Sequence, residues 1–534
     1  MNDLLQLLPT RALYGSDDPV RVEVRGLHAP ARVELRHLGT LVAIRQVDAD
    51  GVVSFGPLNE GGYSVSLGTA RTAVQVTDSP HEVLRYGFVV DYSPGRDLTA
   101  VSDNLRRLHL TDVQFYDWAY RHAELLGGGE TYNDALGQPV SLETVRALIA
   151  TCHEVGSRAL GYAAVYAVGP EEWPIWQHRA LITATGNPYG LGDFLFILDP
   201  GAPEWRDHFT DELDRSIAQV GFDGFHLDQY GYPKRADRAD GERIDVAQSF
   251  CTLIESVRDR LPHSRLVFNN VNDFPTWITA STRQDAVYIE VWKPQVELGH
   301  LAAVVNRARL VAEGKPVVIA AYQHVYDQAG AYEADRATAL TMATLFSHGA
   351  THLLAGEADR ILVDPYYVRN HRIETSTADI LHRYYDFAVA HYEILFPAEI
   401  TDVTGSFAED YNDDIDVTYT NASVSTFATP GAVWRRITSD AHGRYILHAI
   451  NLTGQNDTQW DAPRTPHGNP GAGTLRVRRM GAAIPRIRYA DPDTQPELID
   501  ANVVVDGDYI SASLPAPFRW QVVLIDPYPE SEGA

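Results

Sequence analysis

Continuous apolar runs alternate with amphipathic stretches between residues 83 and 394. Strands that are buried on both faces have such runs. Segments with helical periodicity separate the runs, and several of them end in glycine, as helices often do. The eight runs are YGFVVDY (86–92), VQFYDW (113–118), RALGYAAVYA (158–167), FDGFHLD (222–228), LVFNNVN (266–272), AVYIEVW (286–292), PVVIAAY (316–322) and THLLAG (351–356). Eight strand–helix pairs predict a (β/α)8 barrel. A doubly wound sheet is the alternative, which is disfavoured because no glycine-rich phosphate loop follows the first strand.

The chain on either side of this region has a different pattern. Residues 1–82 alternate apolar and polar positions in six or so short segments separated by turn residues, which predicts an immunoglobulin-like β-sandwich. Alternation returns in residues 395–534, which predicts a C-terminal Greek-key β-domain. The fold class is therefore multidomain α/β, with a central barrel over residues 83–394.

Charge and composition narrow the classes of partner. The formal net charge of −27 disfavours binding to nucleic acid or to an anionic membrane, and it is compatible with a neutral substrate. No apolar run is long enough for a transmembrane helix, and the N-terminal segment has no basic start followed by a long apolar run. We therefore expect no membrane partner and a cytoplasmic location, unless an export signal has been removed. The pattern does not predict an oligomeric state.

Two acidic residues stand at the ends of separate predicted strands, each beside aromatic residues. Asp228 ends FDGFHLD and Glu290 lies in YIEVW. Cleavage of a glycosidic bond needs such a pair, one carboxyl to protonate the leaving oxygen and one to attack or stabilise the anomeric carbon. The apolar neighbours of Glu290 favour its protonated form, and His226 is a candidate donor that would keep Asp228 ionised.

Functional side chains of a barrel lie where its strands end. This rule selects acids, amides and aromatics, and it selects no cysteine, no serine nucleophile and no basic cluster. Sugar sites have this composition because aromatic faces stack on sugar rings and polar groups bond hydroxyls. We therefore predict no metal and no cofactor. Besides Asp228 and Glu290, the predicted substrate-binding residues are Asp91, Tyr116, Asp117, Trp118, Tyr166, His226, Asn270, Asn272, Trp292, Gln323 and Glu357.

Structural roles are the alternatives for several of these residues. Asp117 could pair with Arg121, Asp91 could cap the helix that follows, and Glu357 could pair with Arg360. Asn270 and Asn272 could belong to a turn, and Trp292 could pack in the core. The long aromatic segment 161–192 is expected to wall one side of the cleft.

Five segments together resemble glycoside hydrolase family 66, the family of dextranases and cycloisomaltooligosaccharide glucanotransferases. They are FYDWAYRH (115–122), FDGFHLDQYG (222–231), FNNVND (268–273), YIEVW (288–292) and ILVDPYYV…YYDFAVAHYEIL (361–395). The resemblance implies a retaining mechanism on α-1,6-linked glucose, with Asp228 as nucleophile and Glu290 as acid/base. The substrate implied is dextran or an isomaltooligosaccharide.

Two other functions stay open. One is intramolecular transglycosylation, although the glucanotransferases that the chain resembles typically carry an inserted carbohydrate-binding module, and residues 322–353 have room for one helix. The other is a carbohydrate-binding protein without catalysis, which the intact pair of acids disfavours. The acidic run 409–416 could bind calcium, but its spacing matches no defined loop, and a solvated turn is the favoured interpretation.

Overall fold

The computed structural model describes residues 5–408, 414–479 and 484–526. Most of the acidic run 409–416 lies outside these residues. The predicted domain boundary near 82 falls at the end of the turn Pro80–Glu82, and that near 394 falls in the short helix Tyr392–Leu395. Both boundaries stay predictions.

Eight parallel strands form one sheet in which each strand lies beside its neighbour in sequence. Their bounds are β1 Tyr86–Val89, β2 Asp112–Phe115, β3 Arg158–Ala164, β4 Gly224–Asp228, β5 Arg265–Asn269, β6 Ala286–Glu290, β7 Val317–Ala320 and β8 Ala350–His352. This order confirms the (β/α)8 barrel and excludes the doubly wound alternative, whose strand order reverses.

The first and last strands approach each other closely and complete the ring. The hydroxyl of Thr351 in β8 donates to the carbonyl of Leu84 at 2.9 Å. A Cβ on Gly356 would lie 2.2 Å from the backbone nitrogen of Phe88, so only glycine permits this approach.

A helix follows each strand, and the loops after β3 and β7 also contain the short helices Trp173–Trp176 and Val325–Gln328. The helices are α1 Leu98–Arg107, α2 Leu142–Glu154, α3 Pro203–Val220, α4 Val246–Arg260, α5 Thr276–Thr279, α6 Leu298–Val311, α7 Ala331–Ser347 and α8 Thr375–Ala390. Local sequence sets several ends: Asp97 caps α1 and Ser141 caps α2 through their side-chain oxygens, and Gly221 ends α3 in a left-handed conformation. Within the described part of the chain, no helix has the length and apolarity to cross a bilayer.

The loops at the carboxyl ends of the strands carry small sheets of their own. The segments after β3 and β4 pair with each other through Leu181–Ile182 and Arg235–Arg238, and Arg243–Asp245 extends this sheet. A second small sheet joins Ala167–Val168, Leu195–Ile197 and Gly190–Leu191. These loops rise on the β3–β4 side of the barrel mouth.

The N-terminal part is a sandwich of two antiparallel sheets, as predicted. One sheet holds Gln6–Pro9, Val20–Arg25 and Gly51–Gly56, and the other holds Thr40–Val47, Ala31–His37, Gly61–Leu67 and Ala70–Val76. The alternating apolar residues of both sheets face a shared core. The sandwich contacts α8, where the hydroxyl of Thr72 donates to Asp386.

The C-terminal part also has two facing sheets around a core of their own. The larger sheet contains Ile400–Asp402, Val424–Ser425, Val433–Asp440, Tyr445–Asn451, Arg486–Asp491, Gln495–Asp500 and Trp520–Asp526. The smaller sheet contains Ile415–Tyr419, Gly473–Arg478, Asn502–Asp506 and Tyr509–Leu514. Trp520 of the larger sheet packs on Phe346 of α7 and Phe387 of α8, so this sheet is joined to the barrel helices.

Candidate active site

A cavity of about 220 Å3 opens at the carboxyl end of the barrel strands. Side chains from the ends of β2 to β7 and from the loop after β8 line it. The lining residues are Gln114, Tyr116, Tyr162, Leu191, His226, Asp228, Gln229, Tyr230, Tyr232, Asn269, Val271, Tyr288, Glu290, Trp292, Tyr322, Pro365, Tyr366 and Tyr367. Two carboxyl groups among many tyrosines give the cavity its chemical character.

One amide group joins the two carboxyls. Asp228, Asn269 and Glu290 are the last residues of β4, β5 and β6. The side-chain nitrogen of Asn269 donates to Oδ1 of Asp228 at 2.7 Å and to Oε2 of Glu290 at 3.0 Å. These two oxygens can therefore be no farther apart than the sum of the two distances, about 5.7 Å. Retaining glycosidases place their carboxyls about 5–5.5 Å apart, whereas inverting enzymes need about 6.5–9.5 Å.

The surroundings favour different protonation states for the two acids. Burial, reinforced by the negative charge of Asp228, raises the pKa of Glu290 to about 7. Burial also raises the pKa of Asp228, but the donors Asn269 and Tyr162 oppose this rise, the Tyr162 hydroxyl at 2.7 Å from Oδ2. Glu290 is thus suited to carry a proton, and Asp228 is suited to stay ionised.

His226 lies on the same inward face as Asp228, as strand alternation requires. Burial lowers the pKa of His226 to about 3, so the ring is neutral. Its Nδ1 forms a hydrogen bond with the hydroxyl of Tyr86 at 3.1 Å, and its ring meets that of Tyr288 edge-on. The donor role predicted for His226 toward Asp228 therefore belongs to Tyr162 and to the Asn269 amide.

Aromatic rings form the walls of the cavity. Tyr116, predicted from the sequence, stacks on Tyr367 with ring centroids 4.2 Å apart. Trp292, also predicted, lines the cavity beside Tyr322. The long aromatic segment after β3 contributes Leu191 to the lining. Such walls offer flat apolar faces to a sugar ring.

Two predicted aromatic residues lie behind the cavity. Trp118 is fully buried, packs on Phe222 with ring centroids 4.7 Å apart, and donates its indole N–H to the carbonyl of Tyr162. Tyr166 is also fully buried, and its hydroxyl accepts from the backbone amide of Tyr230. Both residues hold the lining tyrosines in place and do not line the cavity themselves.

Three amide residues that were predicted to bind substrate form hydrogen bonds within the protein instead. Asn270 is fully buried, donates to a backbone carbonyl of β6 and accepts from a threonine of α5. Asn272 bonds the backbone of the loop that follows β6. Gln323 is fully buried and accepts from the hydroxyl of Thr338 in α7. None of the three lines the cavity, so these positions correct the expectation that they bind substrate.

Two predicted acids lie in a separate groove. Glu357 is buried and pairs with Arg96, and not with Arg360 as the sequence alternative proposed. Asp91 is exposed and accepts from the amide of Ser93. The helix that follows β1 is capped by a different residue, Asp97, as described above. Asp91 and Glu357 line the groove and do not line the catalytic cavity.

Asp117 follows the cavity-lining residue Tyr116, does not line the cavity itself, and has a left-handed backbone conformation with φ of 47°. Burial, with the nearby charges of Asp134 and Asp228, raises the pKa of Asp117 well above its usual range. Arg121, its proposed ion-pair partner, pairs with Glu171.

Within the described ranges, no group of three or more histidine, cysteine or acidic side chains is arranged to hold a metal ion.

Sequence reasoning missed Asn269 because it extended the fifth strand to residue 272. The rule that selected Asp228 and Glu290, the last residue of a strand, selects Asn269 once β5 is seen to end there. Alternation along β3 places Tyr162 on the inward face, so the sequence pattern was sufficient to select this residue. Tyr367 lies in a short helical turn after β8, where no periodicity marks it.

The chain matches known proteins along most of its length. Residues 62–524 match the family model described as glycosyl hydrolase family 66. A cycloisomaltooligosaccharide glucanotransferase from Niallia circulans is 27% identical over 314 residues, which are 53% of this chain and 32% of that protein. A dextranase from Streptococcus salivarius is 24% identical over 407 residues, which are 63% of this chain and 49% of that protein. The chain thus spans about a third to a half of the length of these relatives.

Solved structures share the architecture. A cycloisomaltooligosaccharide glucanotransferase from Paenibacillus sp., complexed with cycloisomaltoheptaose, superposes with a TM-score of 0.86 at 18% identity, covering 98% of this chain and 100% of that chain. An α-amylase from Geobacillus thermoleovorans, complexed with acarbose, superposes with a TM-score of 0.52 at 14% identity, covering 84% of this chain and 98% of that chain. At these identities the likeness shows the fold alone.

Proposed function

Because the chain belongs to glycosyl hydrolase family 66, we propose that it is a retaining glycoside hydrolase that cleaves α-1,6-glucosidic linkages in dextran or isomaltooligosaccharides. One observation carries the mechanism: the Asn269 amide bonds both Asp228 and Glu290, which holds the two oxygens within about 5.7 Å. This spacing is close to that of retaining pairs and shorter than the roughly 6.5–9.5 Å by which inverting enzymes make room for the attacking water.

The reaction takes two steps. In the first, an oxygen of Asp228 attacks the anomeric carbon while Glu290 gives its proton to the departing glycosidic oxygen, which leaves a glucosyl–Asp228 ester. In the second, the Glu290 carboxylate takes a proton from water as that water attacks the same carbon, and Asp228 is released. The pKa of about 7 on Glu290 lets it act as acid and then as base near neutral pH.

The substrate is inferred from the relatives. The matched proteins are a dextranase and a cycloisomaltooligosaccharide glucanotransferase, and the resemblance of the five segments to this family implies α-1,6-linked glucan as the substrate class. The uncharged, tyrosine-rich walls of the cavity fit a neutral sugar ring. The net charge of −27 disfavours an anionic polymer.

Cyclising transglycosylation is the second candidate, because a cycloisomaltooligosaccharide glucanotransferase matches the whole fold. Both reactions pass through the same ester and differ in whether water or a sugar hydroxyl attacks it. The chain between β7 and β8 holds only the helices Val325–Gln328 and Ala331–Ser347, with no inserted module in these described residues. This short connection favours hydrolysis.

The test is turnover of dextran, isomaltooligosaccharides and starch, with identification of linear and cyclic products. We expect linear isomaltooligosaccharides from the first two substrates and no product from starch. Asp228→Asn and Glu290→Gln should each lower kcat at least about a thousandfold, because each removes a group that acts in the chemical steps. Asp259→Asn, an exposed change on α4, is the matched control and should keep full activity.

Each outcome decides between the candidates. Cyclic products would favour transglycosylation. Tight oligosaccharide binding without any turnover would indicate a carbohydrate-binding protein. Near-normal activity of either the Asp228 or the Glu290 variant would rule out the assigned pair.

A further inference from the structure

A polar groove of about 590 Å3 lies on the same rim of the barrel as the catalytic cavity. The loops that follow β1 and β8 form most of it, and Gln138 and Pro139 of the loop after β2 complete it. Its floor is the ion pair between Arg96 and Glu357, whose side chains are each 7% exposed. Glu357 also accepts from the backbone amide of Val90 at 2.8 Å, so the floor ties the two loops together. The groove is therefore a fixed feature of the rim.

The groove shares a wall with the catalytic cavity. Tyr366 and Tyr367 line the cavity, and Val368 and Asn370, the following residues of the same segment, line the groove. A ligand that leaves the cavity over this segment enters the groove directly.

A second connection lies on the β1–β2 side. Tyr92 lines the groove, and its hydroxyl donates to the carbonyl of Tyr116, which lines the cavity. The groove and the cavity therefore adjoin at two places, the segment after β8 and the contact between Tyr92 and Tyr116.

The catalytic cavity alone is small. At about 220 Å3 it lies below the 300–1,000 Å3 or so that is usual for pockets enclosing a small organic ligand. An oligosaccharide bound at Asp228 and Glu290 must therefore extend beyond it. Another large concavity lies at the opposite end of the barrel, near Arg309 and Gly349, and cannot receive that extension.

The walls of the groove carry groups that bond sugar hydroxyls. They are the carboxylates of Asp91 and Asp359, the side-chain amides of Gln138 and Asn370, and the guanidinium of Arg360. Each can form several hydrogen bonds, and carboxylates, amides and guanidinium groups together match the donors and acceptors of a neutral polyol. The lining holds four acidic residues and two arginines, so the groove disfavours an anionic ligand.

We propose that this groove binds the glucose units of an α-glucan chain that lie beyond the ring held at the catalytic pair. The inference rests on the proposed function, and it extends the binding site from one cavity to a track across the β8–β1 rim. Asp91 and Glu357, which the sequence singled out, then belong to the outer part of the substrate site.

The test measures binding to the Asp228→Asn protein, so that no turnover is needed. We expect Gln138→Ala and Asn370→Ala each to weaken isomaltoheptaose binding about fivefold, the effect of one lost hydrogen bond. Binding of glucose, a single ring that the cavity can hold, should stay within twofold and reports that the fold is intact. Gln248→Ala, an exposed amide on α4, is the matched control and should change neither ligand.

Equal affinities of the groove variants and their parent for isomaltoheptaose would overturn the proposal, as would equal weakening of glucose and isomaltoheptaose binding. A failure of the proposed function shows separately, as absence of α-glucan turnover by the unsubstituted protein. Oligosaccharide binding that depends on Gln138 and Asn370 would support the groove in either case.

Discussion

Asn269 is the residue on which the geometry of the site depends most. Its side-chain nitrogen has two hydrogens, and one is given to Asp228 and the other to Glu290. Each bond favours the ionised form of its carboxyl and so opposes the rise in pKa that burial causes. The other titratable groups that line the cavity are His226 and the tyrosines Tyr116, Tyr162, Tyr230, Tyr232, Tyr288, Tyr322, Tyr366 and Tyr367. The charge of Asp228 also acts on the nearby Asp117.

Replacing Asn269 with leucine should shift the whole pH profile of kcat/KM to higher pH. Loss of the donor raises the pKa of Asp228, which must be ionised, so the acidic limb moves up. It also raises the pKa of Glu290, which must be protonated, so the alkaline limb moves up as well. We expect kcat to fall about 10- to 100-fold, because hydrogen bonds to charged groups are lost.

The neighbouring Asn270 provides the control. It is equally buried, but its amide bonds the backbone of β6 and a threonine of α5. Asn270→Ala should lower thermal stability and leave both limbs of the pH profile in place. If both substitutions shifted the limbs equally, or neither did, Asn269 would have no special role in the pair.

At the scale of elements, the sequence predicted every barrel strand but extended most of them past their ends. The run 266–272 suggested a strand through Asn272, whereas β5 ends at Asn269. The run 86–92 suggested a strand through Asp91, whereas β1 ends at Val89. After β6 and β7 the apolar character continues past the strand end because the first loop residues, Val291 and Ala321, are also buried. Several side chains chosen by strand-end position therefore lie one to three residues past the actual strand ends, and the three amides chosen, Asn270, Asn272 and Gln323, have structural roles.

Two tryptophans that the sequence treated alike should behave differently. Trp118 is fully buried against Phe222 behind β2, and Trp292 lines the cavity after β6. Trp118→Ala should lower the free energy of unfolding by about 3–5 kcal/mol, the usual cost of truncating a buried aromatic, with KM unchanged in the folded enzyme. Trp292→Ala should raise KM for isomaltooligosaccharides with a smaller loss of stability.

Denaturant unfolding and steady-state kinetics on both variants distinguish these roles. A KM effect of Trp118→Ala as large as that of Trp292→Ala would mean that Trp118 contacts substrate.

At the scale of the whole molecule, periodicity predicted three regions of different pattern but not how they join. The barrel core continues into the C-terminal sheet through Trp434, Ile446 and Trp520, so one hydrophobic cluster crosses the change of pattern near residue 394. Long-range contacts of this kind leave no local signal, because each segment shows only its own apolar face. The same reason explains why Tyr367, which reaches the cavity from a loop, was not predicted.

The central claim is that Asp228 and Glu290 form a retaining pair acting on α-1,6-linked glucan. It is tested most directly by the anomeric configuration of the first product released from isomaltooligosaccharides, followed by proton NMR before mutarotation. Two displacements at the same carbon return the original configuration, so we predict that the α-anomer appears first. Initial release of the β-anomer would contradict the account, because it would require a single displacement by water.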